Sequence, residues 1–306
     1  MYNYKRWMIG LDNTAMDKVL VSYVAFLSTI IAPVKMYFIH VNKDLDVSEK
    51  IRQAFPELQE PKDEIIEAEM KKLVVQNFPD HINFDIEYEA RQGNPVKEIL
   101  EWSHIKNIDL LLVGRKSTLS GSGILAQKLA RKVACSILFV PEQAKHKING
   151  ILVSTDFSNN SRLALEKTVK LAKKYNDTTV YTYHSYQLPT GYYYTGKSAD
   201  EFAQIMLSHA NEYYDDFIKD IDFGDIDILP IFELDKDNTP AKLINQMAHT
   251  KNVDLIVIGA RGHTSLTSFL LGSITEQLIL HDHNIPLLVV KEKDKVLNFL
   301  ELIKTI

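Results

Sequence analysis

The stretch DLIVIGARGHTSLTSFLLGSIT, residues 254–275, decides how this chain is read. Its apolar run at 255–258 reads as a buried strand, ending at Gly259. Gly262 follows after two residues, and nine more lead to Gly272-Ser273, where a helical pattern opens at once. Glycines let a backbone bend sharply and come close to a ligand. A helix N-terminus offers free N–H groups and partial positive charge to an anion. Strand, glycine loop and helix start together suggest a phosphate cradle. It is not a Walker A loop, because no Lys follows the last glycine, and it is not a GxGxxG fingerprint. The plainer alternative is a loop with a well-capped helix, since Ser273-x-x-Glu276 has the form of a capping box.

Bulk properties narrow the function classes. A length of 306 residues suits about two domains, and 25% charged residues fit an ordinary soluble chain. The net charge of −5 leaves no basic footprint for nucleic acid. Residues 1–147 carry 20 Lys and Arg against 19 Asp and Glu, and residues 148–306 carry 15 against 21, so the halves stand at +1 and −6. A phosphate held in the second half therefore relies on local N–H groups and a divalent cation. The single cysteine, Cys135, excludes an internal disulfide and fits a reducing cytoplasm; its apolar neighbours mark a buried thiol. No basic-then-apolar leader opens the chain. The uncharged, strongly apolar stretch 19–34 is interrupted by Ser, Thr and Pro and is too short for a membrane span. It reads as a helix apolar all round, expected to pack against the other half or another subunit.

The two halves repeat each other. Residues 7–12 (WMIGLD) resemble 151–156 (ILVSTD), and 35–40 (KMYFIH) resemble 179–184 (TVYTYH). Asn94-Pro95 through Gly114 resembles Thr239-Pro240 through Gly259, and 136–140 (SILFV) resembles 286–290 (PLLVV). The first two offsets are 144; those from Pro95 to Pro240 and from Gly114 to Gly259 are 145. This is a duplicated domain, not a short-period solenoid. Each half alternates short apolar strands with helical patterns, which implies parallel βαβ units. In the second half strands are expected at 150–154, 179–184, 226–232, 255–259 and 286–290, with helices at 161–175, 200–221, 240–251 and 273–281. Asn94-Pro95 and Asn238-Thr239-Pro240 place a cap and an N1 proline at matching helix starts. The fold class is α/β, as two tandem doubly wound five-stranded parallel sheets. Ligands on such sheets sit at the carboxyl ends of strands, where Asp156, the residues after His184, and Gly259 converge. The expected domains are 1–146 and 147–293, joined by a short polar linker at 143–149, with an amphipathic helical tail at 294–306. The tyrosine-rich segment 181–194 could close over a base, but a packed surface loop is the favoured reading.

The spacing G-x2-G-x9-G-[ST] and the order of these features resemble the universal stress protein family, over nearly the whole chain as two copies. The resemblance implies a Rossmann-like sheet of the adenine nucleotide α-hydrolase type, with domains pairing through their last strands within the chain and a possible homodimer. It also implies ATP, with Mg or Mn, in members that keep the loop. Carried over, Asp156 matches the acid near base and ribose. Ser185, replacing an apolar residue, matches the position whose backbone meets adenine. Gly259 and Gly262 match the ribose and phosphate turn. Gly272, Ser273, Ile274 and Thr275 match the phosphate-binding helix start. His263 follows Gly262 and could approach the phosphates, although a solvated histidine is the favoured reading. His40 and His184 read as satisfied core histidines. The first half keeps Asp12, Val41 and Gly114, but Ser117 replaces the second glycine. Gly114 to Ser122 spans 8 residues where Gly259 to Gly272 spans 13, too few to wrap a triphosphate in the family manner. Arg115 and Lys116 could still hold another anion there, but solvated surface charges are the favoured reading.

No nucleophile elbow, metal-ligand pair or kinase signature is present, so no catalytic or metal residue is assigned. His281-Asp282-His283 lacks a spacing that shares a helix face. Asp235 and Asp237 suit a helix start better than a cation. The expected function is an ATP-binding stress or signalling protein of the cytoplasm, with one competent site in the second domain, no nucleic acid and no membrane. The alternative is an interaction scaffold of the same fold without nucleotide. An α-hydrolase-type enzyme ranks last, because no SGGxDS loop is visible.

Overall fold

The structure, a computed structural model, describes residues 4–42, 49–54, 63–79, 83–116, 122–175, 177–262, 271–281 and 284–293. The chain divides into two compact units, Met1–Glu142 and Gln143–Ile306. The first runs β1 (Arg6–Leu11), α1 (Ala15–Ile30), β2 (Lys35–Asn42), α2 (Glu49–Ala54), α3 (Asp63–Asn77), β3 (Asp85–Gln92), α4 (Pro95–Ile105), β4 (Leu110–Arg115), α5 (Ser122–Lys132) and β5 (Ser136–Pro141). The second runs β6 (Gly150–Ser154), α6 (Asn159–Ala172), β7 (Thr179–Tyr186), a 3-10 turn (Tyr192–Thr195), α7 (Ala199–Ile218), β8 (Ile228–Leu234), α8 (Pro240–Thr250), β9 (Leu255–Gly259), α9 (Ser273–His281) and β10 (Leu287–Val290). The tail at 294–306 lies outside the described residues.

Within each unit the strands are parallel, ordered β3-β2-β1-β4-β5 in the first and β10-β9-β6-β7-β8 in the second. The order reverses beside β1 and β6, which opens a crevice at their carboxyl ends. Registers repeat as the sequence does. Trp7 faces Met36 and Leu110, while Ile151 faces Val180 and Leu255, displaced by 144, 144 and 145 residues. Ile151, Leu152 and Val153 are fully buried, as both faces of a parallel sheet carry helices.

Differences from the sequence reading concern ends. β7 and β8 each run two residues beyond the expected 184 and 232, because the ladder continues through Ser185↔Glu233 and Tyr186↔Leu234 after the apolar run has stopped. Pro230 is tolerated because β8 is the outer strand next to β7, where one row of backbone groups needs no partner. Asn94 caps α4 through Val96 and Lys97, as expected. Thr239 makes no cap; Asp235 Oδ1 accepts from Asp237 and Thr239 N–H instead and holds the start of α8. That fits the helix-start reading of Asp235. α1 is buried through 19–28 apart from half-buried Val19, Ser22 and Phe26, and α3 of its own unit covers part of it. That cover was not foreseen.

α1 also buries an acid. Asp17 accepts N–H groups of Asp12 and Asn13 at 3.0 and 2.8 Å, fixing the turn after β1. Burial pushes its carboxyl up to about 6, with the neighbouring Asp12 adding to the rise and the backbone donors opposing it. A folded value above the unfolded one gives stability that is full below the ordinary carboxylate range and is lost as pH rises through about 6. Asp17→Asn is expected to remove on the order of 2 kcal/mol of this pH dependence, read by urea unfolding across that window. A second test concerns packing. A Cβ at Gly259 would lie 2.8 Å from the Asn160 carbonyl carbon, whereas the three atoms nearest to one at Gly114 all belong to the Met16 side chain. Gly259→Ala is therefore expected to cost about 1–3 kcal/mol, and Gly114→Ala clearly less, in the same unfolding assay.

Candidate functional site

The turn after β6 is built by hydroxyl and carboxylate bonds. Thr155 N donates to Tyr183 O at 2.8 Å; Thr155 Oγ1 accepts from Phe157 N at 3.0 Å and bonds Ser161 Oγ at 3.2 Å. Asp156 Oδ1 accepts from Ser158 N at 3.1 Å, and Phe157 takes a left-handed φ of 63°. Ser158 then caps α6. This holds Asp156 at the strand's carboxyl end, with its second oxygen where a Cβ on residue 262 would be. A side chain at residue 262 would therefore displace the Asp156 carboxylate.

The loop from β9 to α9 is tied at both ends. Thr275 Oγ1 donates to Gly259 O at 3.1 Å, and Gly272 N donates to Ala260 O at 2.8 Å. Glu276 N donates to Gly272 O at 2.9 Å, the first bond of the helix ladder. Gly272 is therefore the cap and Ser273 is already helical, so the capping box expected on Ser273 is displaced. The N–H groups of Ser273, Ile274 and Thr275 have no acceptor within their own helix.

Between these two turns lies a cavity of about 320 Å³. Eight of the nine candidate residues line it: Asp156, Ser185, Gly259, Gly262, Gly272, Ser273, Ile274 and Thr275. His263 lies outside the described residues. Thr275 is 2% exposed and spends its hydroxyl on the Gly259 carbonyl, so its side chain positions the helix. The walls also include residues the sequence reading passed over, among them Thr155, Ser161, His184, Pro240, Ile244 and Arg261. The N1 proline and its i+4 partner Ile244 supply an apolar side, a pairing that helix periodicity could have signalled. Arg261 stood inside the quoted loop, between its first two glycines. Burial lowers its guanidinium below the ordinary arginine value, and nearby Glu292 opposes the shift. Asp156 is the one carboxylate and Arg261 the one guanidinium among the lining residues, and the start of α9 adds partial positive charge.

His184 departs from the core reading. One ring nitrogen is satisfied, Nδ1 bonding Thr155 O at 2.9 Å, but the residue is half-buried and lines the cavity. Its ring packs against Phe157 at 4.3 Å. Burial pushes the imidazole below its ordinary value, while the Thr155 carbonyl and Asp156 oppose the shift. His40 matches its reading: it is buried, with Nδ1 on Leu11 O and Nε2 on Asn42 Oδ1.

In the first unit the matching acid is already paired. Lys116, equivalent to Arg261, pairs with Asp12, equivalent to Asp156. Burial works against ionisation of Asp12, but hydrogen bonds from Lys116 and Thr14 hold its carboxyl below the ordinary value. Arg115 is 2% exposed. Neither basic residue is a solvated surface charge, because the sheet's end buries both stems. Residues 117–121, which include Ser117, lie outside the described residues. The tyrosine segment extends β7 and then forms the 3-10 turn; Tyr193 and Tyr194 are exposed, as a surface loop would have them. Among the described residues no cluster of His, Cys, Asp and Glu could hold a metal ion, and no helix is long and apolar enough to cross a membrane. Residues 282–283 of the His-Asp-His trio are outside the description.

Comparison with known proteins agrees with this architecture. The chain is 30% identical to Universal stress protein MJ0577 of Methanocaldococcus jannaschii over 162 residues, covering 47% of this chain and 95% of that one. It is 29% identical to Universal stress protein MJ0531 of the same organism over 150 residues, 47% of this chain and 83% of that one. In fold it is similar to the crystal structure of a universal stress protein from Archaeoglobus fulgidus, with a TM-score of 0.61, 17% identity, and coverage of 96% of this chain and 98% of that chain. The universal stress protein family model matches residues 3–141 and again 147–291. The chain belongs to the universal stress protein family, as a tandem member with two copies of the domain.

Proposed function

We propose that the second unit binds an adenine nucleotide, ATP in the first instance, and that the protein acts as a nucleotide-responsive stress or signalling protein of the cytoplasm. The observation that carries this is one cavity that collects Asp156, Ser185, Arg261 and the open N–H groups of α9. The start of α9 and Arg261 face the phosphates; Asp156 sits toward the ribose; Pro240 and Ile244 offer the base an apolar side. A cavity of this size lies at the lower end for a small-molecule site. Mg or Mn fits as a counterion carried in by the phosphates, because one lining carboxylate makes no resident metal site. The first unit binds no triphosphate in this reading, since Lys116 already neutralises Asp12. That paired acid favours a scaffold role without nucleotide for the first unit. Domain limits of 1–146 and 147–293 complete the proposal.

Gly272 gives a controlled test. A Cβ there would make ordinary contacts of 3.5–3.6 Å with Ala260, Arg261 and Thr275, so Gly272→Ala keeps the fold, while Gly272→Val adds bulk to the cavity wall. Calorimetric titration of ATP with Mg²⁺ or Mn²⁺ is expected to give one site per chain. Affinity should be little changed in Gly272→Ala and at least about tenfold weaker in Gly272→Val. Equal binding to wild type and Gly272→Val, or binding to neither, rejects the site.

A further inference from the structure

The nucleotide reading leaves one side chain that lines the cavity without a task, that of His184. Its Nδ1 faces the Thr155 carbonyl at 2.9 Å. A carbonyl oxygen only accepts, so Nδ1 carries the hydrogen. In the neutral ring Nε2 is then a bare lone pair, an acceptor, and among the described residues it has no hydrogen-bond partner. The ring cannot swing away. Phe157 packs against it at 4.3 Å, and Phe232 meets it edge-on at 6.4 Å from the neighbouring strand β8. Phe157 itself is fixed in its left-handed turn by the Thr155 hydroxyl. His184 also adjoins Ser185, the lining residue at the same strand end.

Resting on the nucleotide reading, we propose that His184 is the specificity-determining residue of the site: its Nε2 accepts a hydrogen bond from an amino group on the ligand's base. A purine with an amino group at its sixth position satisfies this nitrogen. A purine with a carbonyl there brings a second acceptor against it. The depressed imidazole value supports the neutral form, and Asp156 is the charged group that acts on the ring.

The test compares ATP with inosine triphosphate, which differs by that amino-to-carbonyl exchange, in titrations of the full chain with Mg²⁺ at mildly alkaline pH. Wild type is expected to bind ATP about tenfold or more tightly than inosine triphosphate. His184→Leu should bind both within about threefold, and His184→Gln, whose amide oxygen can accept in place of Nε2, should keep much of the preference. Acidification through the depressed His184 value turns Nε2 into a donor, so the wild-type preference should collapse while that of His184→Gln persists. A preference equal in wild type and His184→Leu, or a wild-type preference absent at the start or indifferent to acid, overturns the assignment and leaves nucleotide binding standing. Should His184→Leu fail to fold, the acid series on wild type decides alone. Binding of neither nucleotide to wild type refutes the function and this inference together.

Discussion

The bond from Thr275 Oγ1 to the Gly259 carbonyl is the constraint on which the rest depends. It joins the first turn of α9 to the last residue of β9 across a loop, and Gly272 N on Ala260 O closes the same gap from the backbone side. With the helix fixed there, its open N–H groups stand at the carboxyl edge of the sheet, beside the Asp156 turn. Residue 259 is glycine because α6 comes so near that the Asn160 backbone occupies the space of a side chain. The cavity therefore follows from close packing of two helix starts around one strand end. A helix terminus displaced by an ångström or two would point its amides elsewhere.

The two copies show how the same fold yields different corners. Register and strand order repeat from unit to unit. Where the second has Asn160 against Gly259, the first has Met16 against Gly114. Where the second has Arg261 lining an open space, the first has Lys116 bonded to Asp12. A lysine already engaged by the acid gives that copy its own internal counter-charge. Duplication kept the scaffold and let the ends of strands diverge.

Much of this was legible in the sequence. Strand positions, duplication and the glycine loop rest on hydrophobic period and spacing, which local chemistry sets. Eight candidate residues share one cavity because the carboxyl ends of neighbouring parallel strands must meet. What was not legible depends on distance in space. Arg261 was overlooked because a charge in a loop carries no period. His184 was taken for core because its partner, the Thr155 carbonyl, is 29 residues away and backbone leaves no trace in sequence. Arg115 was judged exposed by its charge alone, although it ends a buried strand. Gly259 and Gly262 line the cavity, and a side chain at either would also meet the protein's own Asn160 backbone or Asp156 carboxylate, a packing need that sequence does not display.

The central claim is that the amides opening α9, and no counterpart in the first unit, receive the phosphates. The most direct measurement is amide NMR of the full chain on addition of Mg·ATP. The account predicts large shifts at Ser273, Ile274 and Thr275, with the amides of Asp12 and Lys116 unmoved. Shifts confined to the Asp12–Lys116 corner, or none at the start of α9 while ATP is bound, would contradict it.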